Sequence, residues 1–256
     1  MQSSTETISG TGETVEGMMV LGRHLENPYS VENVRKAFCE LYPTKSPRMI
    51  VATNLYVRFL PSDERELAVL DSIGVDTFDF PLDYEISRDG DFYHDPSLPQ
   101  DRITWQYAVV PKSFNFPEGI EYEILDDCCF AEVESLLRSG SDVDWDEVER
   151  RSFELTGNAG LLEPESRASA KATPKGKITI YDNGSGEQVG VEGVKVLVNT
   201  LLKYSSAYTD KYGNYQISTR FSSKPHYRLR FHNQTGFSIG LNLILLPMPP
   251  FSADAP

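Results

Sequence analysis

Beyond Lys177 the apolar residues recur at every second position, and turn residues interrupt them at short intervals. "KITIYD" (Lys177–Asp182) sets Ile178 and Ile180 on one face, and "NGSGEQ" then reads as a turn. "VGVEGVKVLVNT" alternates through Val194, Val196 and Val198, and "HYRLRFHN" through Tyr227, Leu229 and Phe231. A period of two is the pattern of a strand with one buried face. Five or more such runs in about eighty residues, separated by turns, predict an antiparallel β-sandwich.

The connection "YTDKYGNYQIS" (Tyr208–Ser218) tests whether these loops are architectural or reactive. Asp210 can accept from backbone two residues on, as in an Asx turn, with Lys211 and Tyr212 at the central positions. Gly213 suits a positive φ, giving a bulge as the partner strand of the hairpin starts. Tyr208, Tyr215 and Ile217 are the flanking residues expected to bury. No His, Ser or Cys accompanies Asp210 at a matching position, so the loop reads as a turn and not as a catalytic centre.

The first two-thirds of the chain carry a different pattern. "SVENVRKAFCEL" has a Ser30 N-cap and an apolar face of Val31, Val34, Phe38 and Leu41. In "RMIVATNLYVRFLP", Leu55, Val57 and Phe59 share one strand face. "PSDERELAVLDSIG" predicts a helix started by Ser62, lined by Leu67, Leu70 and Ile73 and ended by Gly74. "VDTFDFPLDYEI", "RITWQYAVVP" and "GIEYEILDDCCFA" read as three further strands. In "SDVDWDEVERRSFELTGNAG", Asp144 and Glu147 form a capping box and Gly157 is the stop. The expected organisation is a polar lead over 1–19, an α+β domain over 20–160, a Pro/Ser/Ala/Lys linker over 161–175, the sandwich over 176–246 and a Pro-rich tail over 247–256.

The net charge of −14 and the pI near 4.7 argue against nucleic acid as a partner, because phosphate recognition needs a Lys/Arg excess. The charge is uneven. Glu118–Ser166 holds 15 acidic and 3 basic residues, whereas Lys171 to the end holds 10 basic and 5 acidic. Cys39, Cys128 and Cys129 lack metal-site spacing and cannot close a disulfide framework; the adjacent pair reads as buried thiols on a strand. "IGLNLILLPM" is too short to span a bilayer. The polar N-terminus resembles the tether of a mature surface protein.

"GKITIYD…VGVEGVKVLV…AYTDKYGNYQI" resembles the carboxypeptidase regulatory-like domain, a transthyretin-like β-sandwich. Gly176, Ile178, Gly193, Val194, Val196, Thr209, Asp210, Gly213 and Tyr215 occupy the family's motif positions, and the resemblance runs from Lys175 to Asn242. It implies a non-catalytic accessory module of secreted and envelope proteins, often beside a peptidase or within an outer-membrane protein. "LENPYSVENV", "LYVRFLP" and "ITWQYAVVP" are similar to the N-terminal part of surface lipoproteins of diderm bacteria. The hydrolase branch of the transthyretin-like fold ends in Tyr-Arg-Gly-Ser, and "PPFSADAP" lacks it.

No residue set with chemistry stands out. His24, His94, His226 and His232 lack the helical-turn spacing of a zinc peptidase. Asp89, Asp91, His94 and Asp95 in "SRDGDFYHD" lack the full ligand set of a calcium loop. The acids of "DDCC" would raise the pKa of Cys128 or Cys129 and not activate it. No catalytic, metal or cofactor residues are therefore assigned, and no cofactor is expected. The expectation is a non-enzymatic cell-envelope protein, at the outer-membrane surface or in the periplasm, serving adhesion, docking or scaffolding. The exposed aromatics Tyr204, Tyr208 and Tyr212 would meet a surface protein or an appended peptidase domain. Membrane attachment would come only through an N-terminal lipid anchor. The alternative is an accessory front part of a larger secreted zinc metallopeptidase. A glycan-binding reading on Trp105 and Tyr107 is weaker, since their alternation fits a core face.

Overall fold

The computed structural model describes residues 17–130, 142–162, 173–221, 223, 225–232 and 238–243. Most of the polar lead, residues 163–172 of the expected 161–175 linker and the Pro-rich tail lie outside the described residues, as does the side chain of His232.

The chain is mostly β-strand, in several antiparallel sheets with three α-helices among the described residues. In order, the first part runs β1 (Val20–His24), α1 (Val31–Leu41), β2 (Asn54–Leu60), α2 (Glu64–Ser72), β3 (Tyr84–Arg88), β4 (Gln106–Pro111), β5 (Glu121–Cys128) and α3 (Trp145–Leu155). The last third runs β6 (Lys175–Lys177), β7 (Thr179–Asp182), β8 (Glu187–Gly190), β9 (Lys195–Thr200), β10 (Lys203–Tyr208), β11 (Asn214–Gln216), β12 (His226–His232) and β13 (Ser238–Leu243).

β2 lies between β4 and β5, and both of its faces are buried. Leu55, Val57 and Phe59 pack with Leu70 of α2, while Tyr56 points the other way, into a core with Trp105, Tyr107, Phe78 and Phe80. α1 and α3 share a third core of Val34, Ala37, Phe38, Trp145 and Val148. The Ser30 side chain accepts from Asn33 N–H at 3.1 Å, and Asp144 accepts from Asp146 and Glu147 N–H at 3.0 and 3.1 Å, so both helix starts follow from their caps.

Five expectations are corrected. α2 is capped by Asp63, one residue after Ser62: its Oδ1 accepts from Arg65 and Glu66 N–H at 2.9 and 3.0 Å. Of the residues expected to line that helix only Leu70 is buried, and Ile73 faces solvent. In "VDTFDFPLDYEI" the ladder forms only from Tyr84, against β1, a strand not expected from the sequence. The Val75–Phe80 stretch makes a single bridge, Phe78 to Tyr107, because Phe78 and Phe80 point into one core while its aspartates engage a different sheet. "KITIYD" is not one strand. The chain changes partner at Ile178, so β6 pairs with β11, β7 pairs with β8, and Ile180 is exposed. Finally, the strands either side of the Asp210 turn belong to different sheets: β10 pairs with β9, and β11 with β6.

The largest sheet has the order β10-β9-β12-β13. One of its faces contributes Val194, Val196, Val198 and Leu229 to a core completed by Ile178, Tyr215, Ile217 and Phe221. Its other face is buried too, since every residue of β9 is buried.

Candidate functional site

The turn after β10 is held by its own atoms. Asp210 Oδ1 accepts from Tyr212 N–H at 2.8 Å and Asn214 N–H at 2.9 Å, and Gly213 N–H closes the turn onto Asp210 O at 2.8 Å. Backbone and side-chain donations from Asn214 hold the Asp210 carboxyl below its ordinary range, helped by Tyr212 N–H and Lys177. Gly213 has φ +83°, and a Cβ there would lie 2.2 Å from Ile178 O, so the position admits only glycine. Oδ1 is thus engaged by the turn's own backbone, and Oδ2 by the Asn214 side chain at 3.2 Å.

The three tyrosines expected at a docking surface separate. Tyr208 and Tyr212 are each 60% exposed. Tyr204 is half-buried against the core: its hydroxyl donates to Val109 O at 2.9 Å, its ring meets Phe78 edge-on at 5.4 Å, and burial pushes its pKa up. Tyr215 and Ile217 bury as expected, while Tyr208 does not. Sequence reasoning missed Tyr181, 63% exposed, and Ile180, 54% exposed, on the β7–β8 ribbon.

The reason Tyr204 buries is the second face of the large sheet. Register aligns Tyr208, Lys195 and Arg230 in one row, Ser206, Leu197 and Arg228 in the next, and Tyr204, Asn199 and His226 in a third. This face lies against Asp76–Phe80. Lys195 Nζ pairs with Asp76, which also accepts from Ser206 Oγ at 2.8 Å. Arg228 donates to Asp79 at 2.7 Å and stacks 4.4 Å over the Phe80 ring. Arg230, whose pKa burial lowers, donates to Thr77 O. At the sheet's far end Lys203 faces Glu149 of α3 at 3.9 Å, and the turn residue Leu202 is buried among Phe78, Tyr107 and Val109. Lys195, Lys203 and Arg228 of the last third thus meet Asp76, Glu149 and Asp79 of the first part across a seam of buried and half-buried side chains.

The other candidates lead to no chemistry. Asp95 accepts from Ser97 N–H at 2.8 Å as a turn residue, and His94 Nε2 lies 3.4 Å from Leu98 O. Among the described residues no three His, Cys, Asp or Glu side chains converge on a metal position. Burial pushes the Cys128 thiol to about 12 and the Cys129 thiol to about 11, far from a nucleophile's range. Trp105 and Tyr107 are core residues. Arg58 stacks on Trp105 at 4.0 Å, which fills the face a sugar would need. No described helix is long and apolar enough to cross a membrane.

Compared with known proteins, the chain matches no family model, no curated protein and no solved structure.

Proposed function

We propose that the chain is a non-catalytic protein of the bacterial cell envelope, in which the strands after Lys175 form a regulatory-like, transthyretin-type sandwich that docks a surface partner. One observation carries this reading. Tyr208 just before the turn and Tyr212 within it are both 60% exposed, and Asp210 accepts from the turn's own backbone donors. Exposed aromatics on a rigid loop suit binding, because they offer large contact area at low entropic cost. The Asp210 carboxylate between them is committed to backbone donors, which fits a docking role better than a chemical one.

The test is capture from envelope extract by the purified chain. Tyr208→Ala/Tyr212→Ala should lose captured partner while circular dichroism and the unfolding midpoint stay unchanged. Equal capture by the double variant removes these tyrosines as the docking site.

A further inference from the structure

Asn183 and Gly184 make the one Asn-Gly pair of the chain; every other asparagine precedes a residue with a Cβ. Both are exposed in the 183–186 turn between β7 and β8. The Asn183 carboxamide has no hydrogen-bond partner among the described residues, so it is free to rotate. With no Cβ on the next residue, nothing shields that carboxamide from the following backbone nitrogen, which makes it thermolabile. The hydrogen bonds of the turn act on that same nitrogen. Gly184 N–H donates to Asp182 Oδ1 at 3.0 Å and Ser185 N–H to Asp182 Oδ2 at 3.2 Å, an Asx-type arrangement. The bonds from Gly184 first, and from Ser185, hold the Asp182 carboxyl below its ordinary range. A proton shared with an anion is harder to remove.

The ribbon depends on this turn. β7 and β8 form a sheet of their own with four residue pairs, from Thr179 opposite Gly190 to Asp182 opposite Glu187. So short a two-stranded ladder has little stability apart from the turn that closes it. Gly186 N–H closes it onto Asp182 O at 2.8 Å, so Asp182 holds the turn by its backbone as well as its carboxylate.

We propose that Asn183 is a site of spontaneous deamidation and that Asp182 is the positioning residue that restrains it. The Gly184 nitrogen gives its proton to a solvent base and attacks Asn183 Cγ. The new N–Cγ bond closes a succinimide as the Cγ–Nδ2 bond breaks, and Nδ2 takes a proton from water and leaves as ammonia. Water then opens the ring. Cleavage between Gly184 N and Cγ leaves aspartate; cleavage between Gly184 N and the main-chain carbonyl carbon of residue 183 leaves isoaspartate. Isoaspartate lengthens the turn's backbone by a methylene, and either product sets a new carboxylate beside Asp182 and Glu187. The ribbon should then open from its tip.

The full chain is incubated in mildly alkaline buffer at body temperature, and peptide mass spectrometry follows residue 183, with an isoaspartate-specific methyltransferase as second probe. The amide-to-acid mass gain should build up at Asn183, faster as pH rises. Asp182→Ala, which frees the Gly184 N–H, should speed it several-fold. Gly184→Ala should suppress it with unchanged circular dichroism, since a Cβ there meets only the Asp182 side chain, at 3.4 Å. Gly186→Ala strains the turn at φ +72° but leaves Asp182 in place, so it should speed the reaction less than Asp182→Ala. No mass gain at Asn183 in the native chain and in Asp182→Ala overturns the proposal. So does an unchanged rate in Asp182→Ala, and so does an equal rate in Gly186→Ala, because a loosened turn would then be cause enough.

Discussion

Lys195 of β9 and Asp76, distant in sequence, form an ion pair with side chains 8% and 11% exposed. Two charges this well buried must hold each other, because neither has water to replace its partner. Around them Ser206, Arg230 and Thr77 complete a polar patch walled by Leu197, Phe78 and Tyr204. The seam therefore fixes the large sheet on the Asp76–Phe80 segment in one register.

Removing one partner should be far worse than removing both. Asp76→Leu or Lys195→Met alone, each of which strands the partner's charge, should cost about 3–5 kcal/mol, while the double Asp76→Leu/Lys195→Met should recover much of that loss. Urea denaturation of the two singles and the double gives the coupling. Additive losses would show that the pair carries no mutual stabilisation.

The turn between β9 and β10 tests the same seam by packing. Leu201 is held at φ +46°, a left-handed conformation that costs a leucine roughly 1–2 kcal/mol. Leu202 beside it is 1% exposed. Leu202→Ala should lose about 2–5 kcal/mol. Leu201→Gly removes a partly buried side chain but relieves the backbone, so its cost should be much smaller. Equal losses in the unfolding free energy would mean that the strained turn is not held by burial.

Much of the local structure was legible in the sequence, since it follows from local chemistry. Ser30 and Asp144 announce helix starts, Gly157 and Gly213 announce left-handed stops, and Val194, Val196 and Val198 announce a buried strand face. The strand partners were less so. Tyr208 and Asn214 flank a turn that looks like a hairpin, yet they enter different sheets, a choice made by contacts distant in sequence. The burial of Tyr204 was hidden for a similar reason. A single strand shows which residues alternate but not whether its polar face meets water. One clue was available: Arg228 and Arg230 alternate with the buried Leu229, and Asp76 and Asp79 bracket the buried Phe78, so both segments carry charge beside the core.

The thiols offer a reading by pH. Cys128 and Cys129 are kept neutral by burial, with pKa values of about 12 and about 11 against an ordinary 9.0. Between pH 9 and 11 the unfolded thiols lose protons that the folded ones keep. The unfolded state then binds fewer protons, so stability falls as pH rises through that window. At pH 8, a disulfide reagent should label the exposed Cys39 in the native protein and all three cysteines only in denaturant. Rapid native labelling of three thiols would contradict the burial of the pair.

Two glycines separate conformational strain from steric clash. Gly193 and Gly213 both have positive φ, +75° and +83°. A Cβ at Gly193 meets nothing within 4 Å, whereas one at Gly213 would lie 2.2 Å from Ile178 O. Gly193→Ala should therefore cost only the left-handed penalty, roughly 1–2 kcal/mol. Gly213→Ala must also push β11 away from Ile178, breaking the bond from Ile178 N–H to Gly213 O, and should cost clearly more. Thermal midpoints of both variants decide the matter; equal losses in the two would show that the turn tolerates a side chain.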